Sequence, residues 1–329
     1  LRAVRLRAVR RFVSARSFRS HSLSRGGACW YLAQVSVSPN AEPDPASDDV
    51  DVPALSVPAA VGLTALGFTL THALFYGAGA LLAWQANGPL GAGLEAAHAD
   101  PLVHGLALAF GLGTITLALM VRSSSTLRLR DRVGLMAVPA PALAWAAILG
   151  VSVHVAGAEL VNTLRVMFPL PPELAIAQQR LLTPMTWLQG VGAVLAFVAL
   201  APLAEEVFFR GVLFPGLTRR YGHPWFSLLI SALLFGITHV EPVAIFYAAL
   251  LGTGLALLTV RARSIVPALV AHAAHNAVPL LLPERLVRVE GLNTLGEASY
   301  HLPPLVVLAA TLSALLAARA LHHSLEGPP

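Results

Sequence analysis

The sequence contains no lysine, one cysteine and few charges of any kind: Asp, Glu and Arg together make up 12% of its 329 residues. The lone Cys29 excludes an internal disulfide and any cysteine-based metal cluster. All 22 basic residues are arginine, and eight of them precede Gly26 in a stretch without acids. Beyond that stretch 14 arginines face 17 acidic residues, so there is no basic domain and no nucleic-acid partner is expected. What remains is apolar, with 56% hydrophobic residues and a mean hydropathy of +0.69. A soluble domain has too little interior to hide that much apolar surface. Composition therefore predicts an all-α polytopic protein whose partner is the lipid bilayer.

Residues 1–26 are rich in Arg and Ser and open with a tandem LRAVR-LRAVR copy. A transit peptide shares that composition, but the plainer expectation is a disordered or mis-assigned start. Residues 38–53 are rich in Pro and Asp, so 1–53 as a whole reads as a disordered N-terminal segment ahead of a transmembrane domain at 54–329. About eight apolar runs follow, at roughly 57–84, 102–121, 134–157, 187–218, 225–241, 243–260, 265–282 and 303–320. The fourth is too long for a straight span, and Gly211 and Pro215 predict a kink in it. An even number of spans puts Arg122, Arg128, Arg130, Arg132, Arg210, Arg219, Arg220, Arg261, Arg263 and Arg319 on one side, against Arg165, Arg180, Arg285 and Arg288 on the other. By the positive-inside rule, both termini are then cytoplasmic.

Three of these runs carry polar groups that lipid disfavours. In the fourth, LAEEVFFRG places Glu205, Glu206 and Arg210 within six residues, although one charge at the bilayer centre costs at least ~2.5–3.5 kcal/mol. The fifth carries Phe235 and His239, and the seventh carries His272 and Asn276. Residues four apart share a helix face, so Glu206 and Arg210 are expected to neutralise each other. Glu205, rotated by about 100°, should face a different neighbour. At a rise of about 1.5 Å per residue, Glu205, His239, His272 and Asn276 all fall inside a hydrocarbon layer about 30 Å thick.

Such a set supports hydrolysis. A buried carboxylate with a partner imidazole can take a proton from water, and an imidazole and an amide can donate to the oxyanion of a tetrahedral intermediate. Alternatively Glu205, His239 and His272 could hold a zinc ion that activates the same water. There is neither a G-x-S-x-G elbow nor an H-E-x-x-H helix, and Cys29 stands outside the apolar region, so nucleophilic routes have no candidate. Phe235 reads as packing, and His275 as a spare donor or a solvated edge. His72, His104, His154 and Glu159 read as structural or cavity-lining, and Gly252-x-Gly254 as helix packing.

The motifs E-E-x-x-x-R, F-x-x-x-H and H-x-x-x-N, in this order on successive apolar segments, resemble the CPBP family of intramembrane proteases. That family includes the CAAX prenyl endopeptidases and the Abi or bacteriocin-processing proteins. The resemblance covers about residues 185–283. It implies an all-helical membrane endopeptidase acting on a peptide or membrane-associated protein, in a bacterial plasma (inner) membrane. It also implies that Glu205 and His239 activate water and that His272 and Asn276 stabilise the oxyanion, with Glu206, Arg210 and Phe235 in support. The motif leaves a metalloprotease and a metal-free glutamate mechanism equally open. The competing readings are a non-catalytic scaffold or bacteriocin-immunity factor of the same fold and a transporter, although the inverted repeats common in transporters are not visible.

Overall fold

A computed structural model describes residues 52–123, 128–183, 186–284, 286–294 and 301–326. The segment expected at 1–53 lies outside the described residues except for its last two positions. Regular structure among the described residues is helical throughout, in the order α1 (Val57–Gln85), α2 (Leu90–Ala99), α3 (Pro101–Arg122), α4 (Leu129–Arg132), α5 (Ala140–Met167), α6 (Pro172–Leu182), α7 (Trp187–Tyr221), α8 (Pro224–Ile237), α9 (Pro242–Ala262), α10 (Val266–Leu281) and α11 (Pro304–Glu326). Proline is tolerated in the first turn, where its missing N–H would be unpaired anyway. Pro58, Pro101, Pro172, Pro224, Pro242 and Pro267 all take that place. Ser56 and Asp100 cap α1 and α3 by accepting first-turn N–H groups.

Six helices are long and apolar enough to cross a membrane: α1, α3, α5, α7, α9 and α11. The chain is an integral membrane protein. Two of the eight expected spans, α8 and α10, are shorter, with 14 and 16 residues, or about 21 and 24 Å of helix. Helix α8 ends early because the backbone turns at Val240, with φ +64, and Glu241 starts α9 by accepting from Val243 N and Ala244 N. Helix α10 starts within one residue of its expected position, where Ser264 and Ile265 are tied to the 134–136 strap: Ile265 N donates to Gly134 O and Ser264 Oγ to Met136 O. The same strap displaces the third span, expected at 134–157, to 140–167.

Cross-chain contacts define two ends of the bundle. At one, Leu55 N bonds Gly216 O, Val57 N bonds Tyr221 Oη, and Arg261 pairs with Glu326. At the other, Arg165 pairs with Glu241 and Glu159 accepts from Leu302 N. Trp84 and Trp187 stand exposed where α1 ends and α7 begins, and Trp225 where α8 begins, as aromatic anchors do at a membrane interface.

Helix α7 occupies the centre, against α3, α8 and α10. Its Phe208, Phe209, Leu213 and Leu217 are fully buried among Leu112 and Ile115 of α3, Leu234 and Phe235 of α8, and Ala248 of α9. Helix α5 packs on α10 and α11. A side chain at Gly150 would collide with the Ala271 carbonyl, so that contact needs the bare backbone.

Candidate active site

The α7 helix continues without a break through Gly211 and Pro215, where a kink was expected. It widens twice, into π-helical turns at Leu195–Leu200 and Glu206–Leu213, one on each side of Glu205. Each wide turn ends just ahead of a proline. Ala201 N bonds Ala196 O before Pro202, and Phe214 N bonds Phe209 O before Pro215. A proline ring clashes with the carbonyl four residues back and offers it no N–H, and a widened turn relieves the clash without breaking the helix. Pro202, three residues before Glu205, is the sequence signal for the first turn.

Glu206 and Arg210 meet as their spacing predicts. Arg210 Nη1 donates to Glu206 Oε1 at 2.9 Å, and both side chains are sealed from solvent. Arg210 Nη2 donates to Gly252 O at 3.0 Å, and its guanidinium lies 4.5 Å from the centre of the Phe235 ring. The buried cation thus has a carboxylate, a carbonyl and an aromatic face. Gly252 is required here: a Cβ there would come within 2.9 Å of Phe235 Cδ1. Gly254, by contrast, has open space around its Cα and lines an apolar cavity.

Glu205 does not face a neighbour of its own. His272 donates from Nδ1 to Glu206 Oε1 at 2.8 Å, and its Nε2 lies 3.6 Å from Glu205 Oε2. The two ring nitrogens lie on different edges of the imidazole, so one ring spans two carboxylates that leave the helix about 100° apart. His272 therefore stands against the glutamates rather than beside Asn276 as a second amide-like donor.

His239 is exposed and sits on the turn after α8, not on a helix as the apolar run at 225–241 suggested. Its Nδ1 donates to Phe235 O at 3.1 Å, which leaves Nε2 as the acceptor of the neutral ring. Phe235 is fully buried, with its ring edge-on to His239 and His272. A cavity of about 470 Å³ is lined by Glu205, His239, His272 and Asn276 together with His104, Tyr247 and His275.

Of these, Tyr247 was not foreseen, and His275 was placed only in part. His275 is buried rather than a solvated edge, and it lies 3.1 Å from Asn276 Oδ1 through Nδ1 and 2.9 Å from the Tyr247 hydroxyl through Nε2. A tyrosine hydroxyl inside an apolar span was the signal for Tyr247, which needs a partner there. His154 packs edge-on against His275. His72 bonds Phe68 O, and Glu159 accepts from His301 and Leu302 N, both away from the cavity.

Among the described residues, no group of three His, Cys, Asp or Glu side chains is gathered closely enough to hold a metal ion. Glu205, His239 and His272 line one cavity, but they do not fit a zinc site as placed. The Nδ1 atoms of both histidines are bonded, to Phe235 O and to Glu206, which leaves each Nε2 open; what the set lacks is proximity.

Residues 186–278 match the family model described as type II CAAX prenyl endopeptidase Rce1-like. This segment is similar to that family. It runs from the start of α7 into α10 and contains all seven motif residues, from Glu205 to Asn276. The match agrees with the resemblance to CPBP intramembrane proteases and supports a membrane-embedded protease of the CAAX-endopeptidase kind. Helices α1–α6 and α11 lie outside the Rce1-like segment. The chain matches no curated protein and no solved structure.

Proposed function

We propose that the protein is an intramembrane endopeptidase that cleaves a peptide bond in a membrane-associated protein or peptide through a water activated by Glu205. The observation that carries this reading is that Glu205 of α7, His239 of the turn after α8, and His272 and Asn276 of α10 line one cavity. Glu205 takes a proton from water as the water oxygen attacks the scissile carbonyl. His239, with Nδ1–H held by Phe235 O, offers Nε2 to the second water hydrogen. Asn276 Nδ2 donates to the oxyanion. As the C–N bond breaks, Glu205 returns its proton to the departing amine.

His272 fits this scheme better as the group that orients Glu205 than as an oxyanion donor, because its two nitrogens face the two carboxylates. The Glu206–Arg210 pair then fixes His272 from below. Residues 54–329 act as one transmembrane domain in this scheme, with the Rce1-like segment as its catalytic part. The arginine-rich end, with Arg219, Arg220, Arg261 and Arg263, faces the cytoplasm of a bacterial plasma membrane.

The test uses the full chain in detergent and internally quenched peptides, one of them carrying a prenylated cysteine near its C-terminus, with and without a chelator. Glu205→Ala and His239→Ala are expected to abolish cleavage while the proteins remain inserted and folded. Full cleavage by either variant would sink the proposal, and a Glu205→Ala protein that keeps the cellular phenotype without cleaving would favour a scaffold. Loss of wild-type cleavage in the chelator would replace the metal-free scheme.

A further inference from the structure

An oxyanion donor acts only if its N–H already points at the place where the charge develops. A primary amide has two orientations, and Asn276 must hold one of them. Its surroundings fix which. Asn276 Nδ2 lies 3.0 Å from Phe197 O. That carbonyl lacks its usual helical donor, since Ala201 N bonds Ala196 O and Pro202, next in line, has no N–H. A carbonyl only accepts, so the atom against it must be the amide nitrogen.

Asn276 Oδ1 then faces His275 Nδ1 at 3.1 Å, which must carry the proton. His275 Nε2 is left as an acceptor, and the Tyr247 hydroxyl 2.9 Å away donates to it in preference to Val153 O, which lies farther off at 3.4 Å. Each step follows from the one before, and the chain of contacts runs from a proline on α7 to a tyrosine on α9. It leaves the second Nδ2 hydrogen for the cavity that Asn276 lines.

We propose that His275 and Tyr247 are positioning residues that lock the Asn276 amide with its nitrogen toward the reacting carbonyl. The proposal rests on the oxyanion role given to Asn276 above. Neither residue touches the substrate in this role; both act through the amide. Gly157 belongs to the same device, because a Cβ there would overlap the Tyr247 hydroxyl.

The orientation can be read without any activity. The sequence holds only five asparagines, so selective ¹⁵N-asparagine labelling of the full chain in detergent gives few side-chain NH₂ pairs, and Asn276→Asp identifies the pair of interest. Tyr247→Phe, His275→Gln and Gly157→Ala are each expected to shift or broaden that pair while leaving the other four in place. An Asn276 signal unmoved by all three variants would overturn the proposal, whatever the fate of the proteolytic reading.

Kinetics on a cleaved quenched peptide then separate positioning from mere packing. An asparagine at 275 keeps a donor where Nδ1 stands, whereas a glutamine places its amide at Nε2. His275→Asn should therefore retain most of kcat, and His275→Gln should lose roughly ten- to a hundredfold at unchanged KM, short of the ~10²–10³ that removing an oxyanion donor costs. Equal losses in both variants that track their melting temperatures would mean packing alone and would also overturn it. An inactive wild type with a shifted Asn276 signal would defeat the protease reading and leave the lock standing.

Discussion

Two ion pairs bracket the candidate site, and they differ in nearly every physical respect. Glu206–Arg210 lies within one helix, four residues apart, with side chains 0% and 1% exposed. Arg165–Glu241 joins the end of α5 to the start of α9, 2.8 Å apart, with side chains 14% and 11% exposed. The first sits mid-helix among apolar side chains, and Glu206 Oε2 has no hydrogen-bond partner. In the second the carboxylate also accepts two backbone N–H groups. A buried pair is seldom a net source of stability, because desolvation offsets its attraction. Glu206–Arg210 is therefore better understood as a device of position: it holds His272, and through it Glu205. Glu241 does what an N-cap does, and by ending the turn after α8 it sets where His239 stands.

The sharpest way to break this contrast is to remove one member of the buried pair. Arg210→Ala leaves Glu206 charged among apolar groups, which costs about 3–5 kcal/mol for buried pairs. The expected result is loss of the folded protein, or of all cleavage, read by size-exclusion profile and peptide assay. Arg210→Met with Glu206→Gln removes both charges and should recover folding but not cleavage. Full activity in the double variant would show that the pair has no part in holding His272. A smaller effect is expected of Gly252→Ala. The added methyl meets Phe235 Cδ1 at 2.9 Å and Arg210 Nη2 at 3.1 Å, and overpacking of this kind costs typically about 1–3 kcal/mol. Thermal unfolding in detergent should show the drop, whereas Gly254→Ala, with open space around it, should show none.

The contrast also separates what was legible in the sequence from what was not. Glu206 with Arg210 was legible because the contact is local: helical spacing alone brings the two together. Arg165–Glu241 was not, because its members are 76 positions apart and meet only once α5 and α9 pack. The same division holds across the site. Glu205, His239, His272 and Asn276 stood out as polar residues in apolar runs, while the approach of His272 to both carboxylates depends on how α10 seats against α7. Hydropathy carried the long spans and α10 but misjudged the end of α8 and the start of α5. Those two ends are set by backbone and polar contacts at Val240 and Gly134, which an apolar run does not reveal. Pro202 and Pro215 were visible, but the wide turn ahead of each proline was not, because an apolar run does not show which carbonyl a backbone N–H will reach.

The cap side of the contrast predicts the mildest outcome. Replacing an N-cap acid by alanine costs about 1 kcal/mol, so Glu241→Ala should leave the protein folded. Cleavage should fall more than stability does, because the turn that carries His239 loses its anchor. Acid offers a gentler form of the same test. Burial raises the affinity of Glu241 for a proton, but the hydrogen bonds from Arg165, Ala244 N and Val243 N outweigh it, and together they hold its carboxyl below the ordinary value of 4.5. A carboxylate with a depressed folded value contributes stability that is fully present above the unfolded value and is lost as pH falls through the folded one. The Glu241 contribution should thus be constant above about pH 4.5 and fade below it. The gap in melting temperature between wild type and Glu241→Gln should close over that acid range. A gap that persisted there would mean that the cap holds its turn through neutral hydrogen bonds, and that the ionic half of the contrast with Glu206–Arg210 is mistaken.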